Sequence, residues 1–414
     1  MKFSKMQSAL KHKYRNEADP ALLEKQRFWN KLVYSAAAVL LITAVVLNIL
    51  SAGGHFTAEP DIAPWSTPQT QEPITVGVVD RSYNVKSIVI DERRINQPSI
   101  YGHELLFSAG KGSLDSSILT NLYLFDAVTG EAKKITESKL SGGEIYETYI
   151  SENWIVWLDT DHKGKNVIYK MSRRDIKEIK ANTISVVQEA ENHMPKLGLY
   201  GDYLIWMEQV SASEDKLYFV DLTTDENMAL QMFDQTNYAV STPYIYKNTV
   251  IWAERDPERP EDDSVSAIYN VIFEDLGTVD GDDDYEPEED SGILEPEIFS
   301  PGTYVHNPMC NDDVFVWIDK NNAPDSSLYY AYKDGRGEPV RYWRNVTQYA
   351  VGDDFIVFAS NQIIYAYYYE SDILVQVSES GRSSILPQAF GTLVVWEDKS
   401  DTSGNDVFKY NILG

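Results

Sequence analysis

The chain has 414 residues, room for one large repeat domain or two to three average ones, and aromatics reach 12%, with 27 Tyr and 9 Trp, an enrichment that favours strands over helices. The net charge of −28 repels phosphate backbones and excludes nucleic acid as a partner of the main body. A single cysteine, Cys310, excludes an intramolecular disulfide and a cysteine-rich metal site, and reads as a buried structural thiol.

Residues 1–31 carry eight Lys or Arg against three acids, so the chain opens on a basic tail and the remainder is more acidic than the whole. Leu32 to Leu50 follows, 19 residues without a charge. At ~1.5 Å per residue this gives about 28 Å of helix, the thickness of a bilayer's hydrocarbon core. The expectation is one transmembrane helix over 32–50, with residues 1–31 cytoplasmic by the positive-inside rule and Trp29 and Tyr34 at the interface. The leading region is long for a signal peptide and Ser51-Ala52-Gly53-Gly54 is a poor cleavage site, so the helix is expected to remain as a single-pass signal anchor in the cell membrane. Residues 51–73 contain Gly53, Gly54, Pro60, Pro64, Pro68 and Pro73 and read as a linker to an extracytoplasmic domain over 74–414.

Within that domain short apolar runs ending in Phe or Trp recur at Phe107, Trp157, Trp206, Trp252, Trp317, Phe358 and Trp396, with spacings of 50, 49, 46, 65, 41 and 38. Each reads as a short strand buried on both faces. A second run with an aromatic follows each one, at Tyr123, Tyr169, Tyr218, Tyr269, Tyr329, Tyr365 and Phe408, and polar turn residues between the two make a hairpin. Pro98, Pro243, Pro308 and Pro387 lie nine residues before the repeat aromatic and Pro195 eleven before, where a strand can begin. A third segment such as Gly130 to Thr136 completes a unit of about four strands. Sheets that small bury both faces only by radial packing. The expected class is therefore all-β, a β-propeller of seven blades preceded by one transmembrane helix, the ambiguous termini leaving six or eight open. The last copy lacks an outer strand after Ile412, and Ser87 to Asp91 is expected to supply it and close the ring.

The stretches Tyr101-Gly102-His103-Glu104-Leu105-Leu106-Phe107, Asn121-Leu122-Tyr123-Leu124-Phe125-Asp126 and Gly130-Glu131-Ala132-Lys133-Lys134-Ile135-Thr136 resemble the repeat of TolB-type propellers. The resemblance covers residues 95–414 in degraded form and implies propeller architecture; the family's usual Ser-Pro-Asp-Gly turn is absent.

No Gly-x-Ser-x-Gly elbow, phosphate-binding glycine loop or HExxH motif occurs, and a peptidase of the prolyl oligopeptidase type would need an α/β-hydrolase domain. No cofactor is expected. His193 and His306 each lie two residues before the repeat proline, in a column that also holds Asn96, Tyr146, Ser241, Thr347 and Ile385. Equivalent positions near the inner strands cluster at the channel mouth, so Asn96, Tyr146, His193, Ser241, His306 and Thr347 are candidate ligand-binding residues; ordinary turn residues are the competing reading. The long fourth spacing marks an acidic insertion at about 255–300. Its Asp280, Asp282, Asp284 and Glu286 allow a weak Ca²⁺ site, but the EF-hand glycine and distal Glu are out of place, and a solvated loop is the expected state. Tyr365, Tyr367, Tyr368 and Tyr369, with Tyr329, Tyr330 and Tyr332, exceed what one strand face can bury, so they either fill between blades or stack on a partner. These features favour a membrane-tethered binding or scaffolding module for a protein or cell-envelope polymer. A channel-mouth lyase or hydrolase acting on glycans or peptides, and a sensor subunit, are the alternatives.

Overall fold

Alternating apolar residues in the repeat runs have to be covered on two sides, and the arrangement that results is a ring of seven sheets. The structure is a computed structural model that describes residues 78–90, 92, 94–110, 118–174, 184–191, 194–211, 214–233, 241–273, 296–320, 326–399 and 407–413. All of them belong to a unit spanning Pro73–Gly414. The basic tail, the 32–50 segment, the linker over 51–73, His193 and the Asp280–Glu286 stretch lie outside the described residues.

Two short strands come first, β1 (Val79–Asp80) and β2 (Lys86–Ser87). Blade one follows with β3 (Arg94–Ile95), β4 (Ser99–Tyr101), β5 (Glu104–Gly110), β6 (Asn121–Asp126) and β7 (Ala132–Glu137). Blade two has β8 (Glu144–Ile150), β9 (Trp154–Thr160), β10 (Lys165–Ser172) and β11 (Ile184–Glu191), and blade three β12 (Lys196–Tyr200), β13 (Tyr203–Ser211), β14 (Glu214–Asp221) and β15 (Glu226–Phe233). Blade four is β16 (Tyr244–Tyr246), β17 (Thr249–Arg255), β18 (Ser266–Ile272) and β19 (Glu297–Phe299); blade five is β20 (Val305–Cys310), β21 (Val314–Asp319), β22 (Ser327–Tyr332) and β23 (Val340–Arg344). Blade six is β24 (Val346–Val351), β25 (Ile356–Ser360), β26 (Ile363–Tyr368) and β27 (Ile373–Gln376), and blade seven β28 (Ser384–Phe390), β29 (Leu393–Asp398) and β30 (Phe408–Ile412). Every blade is an antiparallel meander from an inner to an outer strand, so the repeat spacing translates into seven blades. The large fourth spacing divides between a loop at 256–265 and the stretch between β18 and β19.

The second strand of each blade organises the core. Phe107, Trp157, Trp206, Trp252, Trp317, Phe358 and Trp396 are all buried. Each lies in the apolar cluster shared with the preceding blade, while the neighbour one residue earlier (Leu106, Val156, Ile205, Ile251, Val316, Val357, Val395) enters the cluster shared with the following blade. Strand alternation thus feeds one side chain to each flanking interface. In six blades the repeat aromatic sits directly opposite the tyrosine of the third strand. The two rings stack at 5.0–6.0 Å between centroids and 13–28° between planes. Such a pair adds about 0.5–1.5 kcal/mol beyond its area burial.

Blade seven departs from the expected pattern. Trp396 faces Lys409, and Phe408 is opposite Glu397. A one-residue slip moves a side chain to the other face, and Phe408 accordingly packs in the cluster shared with blade one rather than under Trp396. The tyrosines in excess also find places inside: Tyr329, Tyr330, Tyr367 and Tyr369 are buried, and Tyr342 and Tyr367 stack at 3.7 Å. They fill between blades. Cys310 is buried as a free thiol.

The ring closes through the segment that precedes blade one. Lys86 and Ser87 pair antiparallel with Tyr410 and Lys409 of β30, and the Ile88 amide donates to the Phe408 carbonyl at 2.8 Å. The closing strand therefore starts one residue earlier than the Ser87 to Asp91 expected from sequence. Ahead of it β1 pairs parallel with β27 of blade six, an addition with no sequence signal. Between the two, the Asn411 amide donates to the Arg81 carbonyl at 2.8 Å, Val85 packs against the six–seven cluster, and Ile88 and Ile90 pack in the seven–one cluster. Ile88 is 5% exposed and its neighbour Val89 77%. Replacing Ile88 by Ala should cost about 2–3 kcal/mol in urea unfolding, the lower range for a buried Ile. Val89→Ala should stay within about 0.5 kcal/mol. Equal effects would show that the strap does not seat in the ring.

Candidate functional site

The first strand of each blade borders the axis, and together these strands enclose a channel of about 660 Å³. Its lining comes from six blades: Asn96 to Tyr101, Tyr146 to Glu152, Gly198 to Gly201, Pro243 to Tyr246, Val351 to Asp353 and Gln388 to Phe390, with Arg94, Leu119 and Glu144. The volume falls within the range of small-ligand sites.

One end of the channel is where the inner strands begin, and here the candidate column resolves into a row of β-bulges. An extra residue relative to the second strand enters between Ile95 and Ser99, Ile145 and Glu147, His306 and Met309, Val346 and Gln348, and Ile385 and Gln388. Asn307 and Leu386, each just ahead of a proline, take left-handed backbone with φ of 50° and 53°. A bulge bends its strand and frees main-chain groups, and the column side chains satisfy some of these across blade boundaries. The Asn96 amide donates to the Tyr146 carbonyl. Ser241 Oγ accepts from the Asn307 amide at 2.8 Å, and Gln348 Oε1 accepts from the Leu386 amide at 2.7 Å.

Asn96 and Tyr146 line the channel, Tyr146 with its side chain exposed. Ser241 is buried in its interblade hydrogen bond and lies outside the lining, as does His306. The His306 Nε2 is 2.8 Å from Lys320 Nζ. Burial, with Lys320 and Lys196 adding to it, lowers its pKa to about 4, so the ring is neutral at pH 7 and accepts from the lysine. Thr347 is the extra residue of the blade-six bulge.

Deeper in the channel, burial raises the Glu147 carboxyl above the ordinary glutamate value. Hydrogen bonds from the Tyr149 hydroxyl, at 2.9 Å, and from the Leu197 amide pull it back. Glu144 is held by His162 Nε2 at 2.7 Å and by the Leu119 amide at 3.3 Å.

The other end lies at the turns from first to second strand. The last residue of the inner strand is aromatic in four blades: Tyr101, Tyr200, Tyr246 and Phe390. Tyr101 and Phe390 are in contact at 4.8 Å, and Tyr200 and Tyr246 at 4.9 Å. Burial pushes the Tyr200 phenol up; Lys247 pulls it down, and Asp353 and Asp312 push it up again. Side chains from blades three to six therefore meet electrostatically at this mouth. Sequence reasoning misses this group, although a signal is present: all four lie six residues before the repeat aromatic, a column separate from the one before the proline.

A further column lies two residues after the repeat aromatic. Asp159, Glu254, Asp319 and Asp398 are buried carboxylates there. Asp159 accepts from Ser138 Oγ at 2.6 Å. Glu254 accepts from Trp252 Nε1 at 2.6 Å and Gln231 Nε2 at 2.8 Å. Burial raises both acids. Among the described residues no group of three His, Cys, Asp or Glu side chains could hold a metal ion.

No known family profile and no curated protein sequence matches the chain. Solved structures do. A prolyl endopeptidase structure, from a study of inter-domain dynamics in two such enzymes, aligns with a TM-score of 0.52 and 10% identity over 75% of this chain and 46% of that one. The β-propeller domain of the Trilobed protease from Pyrococcus furiosus, described as having an open velcro topology, aligns at 0.53 and 11% identity, over 78% of this chain and 94% of that one. TolB from Acinetobacter baumannii aligns at 0.39 and 9% identity, over 71% of this chain and 60% of that one. At such identities the first two likenesses establish the propeller fold, and this chain spans about half the length of the prolyl endopeptidase.

The raised Glu254 makes a prediction about pH. Its folded form takes up a proton at a higher pH than the unfolded chain, so the stability it contributes is present below the ordinary value of 4.5 and is lost as pH rises through the folded value. Glu254→Gln keeps an acceptor for Trp252 but cannot titrate. The variant should gain stability relative to wild type between pH 4 and 7 in urea titrations; a constant difference would show that the carboxyl is not raised.

Proposed function

We propose that this chain is a membrane-tethered extracytoplasmic β-propeller that binds a protein or cell-envelope ligand in its axial channel. The observation carrying the reading is the channel itself: about 660 Å³, lined from six blades, with aromatic side chains at one mouth. Rings on rigid strands bring large contact area at low entropic cost. The tether is the uncharged stretch Leu32 to Leu50, oriented by the basic residues before it.

A second reading, an enzyme acting on glycans or peptides, rests on Glu147. Burial raises this carboxyl inside a cavity, so it keeps its proton to higher pH than a free glutamate, as a proton donor would. Binding is preferred because two of the histidines are already engaged by other groups, His162 by Glu144 and His306 by Lys320.

Both parts are open to test. Protease added to intact cells should digest the propeller and spare residues 1–50; protection of the whole chain would reject the topology. Tyr200→Ala should weaken capture of the channel's ligand from envelope extracts about tenfold, or about 1.4 kcal/mol, and a substitution on the outer strand, Met232→Ala, should not. Equal capture by both variants would place binding elsewhere.

A further inference from the structure

The mouth at the strand turns has a chemical bias that narrows the ligand class, an inference that rests on the channel being the binding site. Four carboxylates line the channel, Glu144, Glu147, Glu152 and Asp353, against one guanidinium, Arg94. Glu144 is engaged by His162 and Glu147 is shielded with Tyr149. Glu152 and Asp353 are at the mouth, and among the described residues neither side chain has a hydrogen-bond or ion-pair partner. A concave surface lined by one sign of charge focuses its field outward and concentrates the opposite charge.

The aromatic groups point the same way. Tyr101, Tyr200, Tyr244 and Tyr246 border the same space, and among the described residues none of their hydroxyls has a protein hydrogen-bond partner. Tyr246 is buried and the other three are half-buried, with their hydroxyls open to the space, so all four are left to a ligand or to water. The protein's own cations already lie over two of these rings. Arg173 lies 5.1 Å from the Tyr101 ring centroid and Lys247 lies 5.5 Å from that of Tyr246. Both are held there by their own acids, Glu104 and Asp312. Ring faces and unpaired carboxylates together are the chemistry that holds an ammonium or guanidinium group.

We infer that this mouth takes the cationic side chain of a basic polypeptide segment, seated against the contacting pair Tyr200 and Tyr246 and facing Asp353 and Glu152. The segment's main-chain carbonyls would accept from the phenol hydroxyls, so one lysine or arginine side chain and its adjoining peptide unit account for both kinds of unused group.

The full chain in mild detergent, titrated calorimetrically with the tripeptide trilysine, tests this. Saturable binding with one site is expected, weakening as salt is raised. Asp353→Asn combined with Glu152→Gln should weaken it at least tenfold with an unchanged melting temperature. Glu131→Gln combined with Glu338→Gln, two exposed carboxylates outside the channel lining, removes as much acidity elsewhere and should leave it within twofold. An equal loss in the two variants would mean diffuse attraction to an acidic surface and would overturn the inference. Binding of the neutral sugar chitotriose that needs Tyr200 but not Asp353, with none of trilysine, would overturn the cation assignment while leaving the channel as the binding site. Binding of trilysine that survives both Tyr200→Ala and the paired carboxylate change would overturn it as well.

Discussion

A four-stranded sheet has two faces and little with which to cover either, and everything in this molecule follows from how the second strand answers that constraint. Its central pair of residues points in opposite directions, one toward each neighbouring blade. The large aromatic always goes backward and the aliphatic forward. The stacked tyrosine widens the aromatic side into a wedge. Because the large ring goes backward in each copy, every interface receives one large ring, backed by a tyrosine in six of the seven, and one smaller apolar group. The direction of packing is then consistent around the circle, and the channel at the centre is what remains when seven sheets are packed this way.

The architecture was legible for that reason. A tryptophan buried on a central strand is tied to its position by volume as well as by polarity, so Trp157, Trp206, Trp252 and Trp317 stayed recognisable where turn residues had changed. Cys310 was legible too, as a small apolar group inside a strand. What could not be read was register where the hairpin carries no fixed length. Twelve residues separate Trp396 from Phe408 as they separate Trp157 from Tyr169, yet one more residue is absorbed before β30 pairs, and Phe408 turns to the other face. Strand β1 was invisible because two main-chain-paired residues with exposed side chains leave no apolar pattern.

The site was legible only in part. The column before the proline carries chemistry-bearing residue types, but in space it marks the bulges, and Asn96, Ser241 and the adjoining Gln348 spend their polar groups on the next blade. Asn96 and Tyr146 still reach the channel wall. The tyrosines at the opposite mouth look in sequence like ordinary strand residues. Their distinction lies in hydroxyl groups that have no partner among the described residues, and that is a property of three-dimensional neighbours rather than of spacing.

The strap formed by residues 79–88 has a temporal meaning beyond the closed ring. Its partners in blades six and seven are β27 and β30, so the pairing at Lys86 waits until Tyr410 has been synthesised, more than three hundred residues later. At ~5–20 residues per second on the ribosome, that delay is on the order of tens of seconds. Until β27 and then β30 emerge the strap lacks the strands it pairs with, while the blades between can dock on one another in order of emergence. The ring is thus assembled as a growing arc and sealed by two late pairings of very high sequence separation. During that interval the strap and the two terminal blade faces are the parts of the chain most exposed to mispairing, and to whatever chaperones recognise an open β edge.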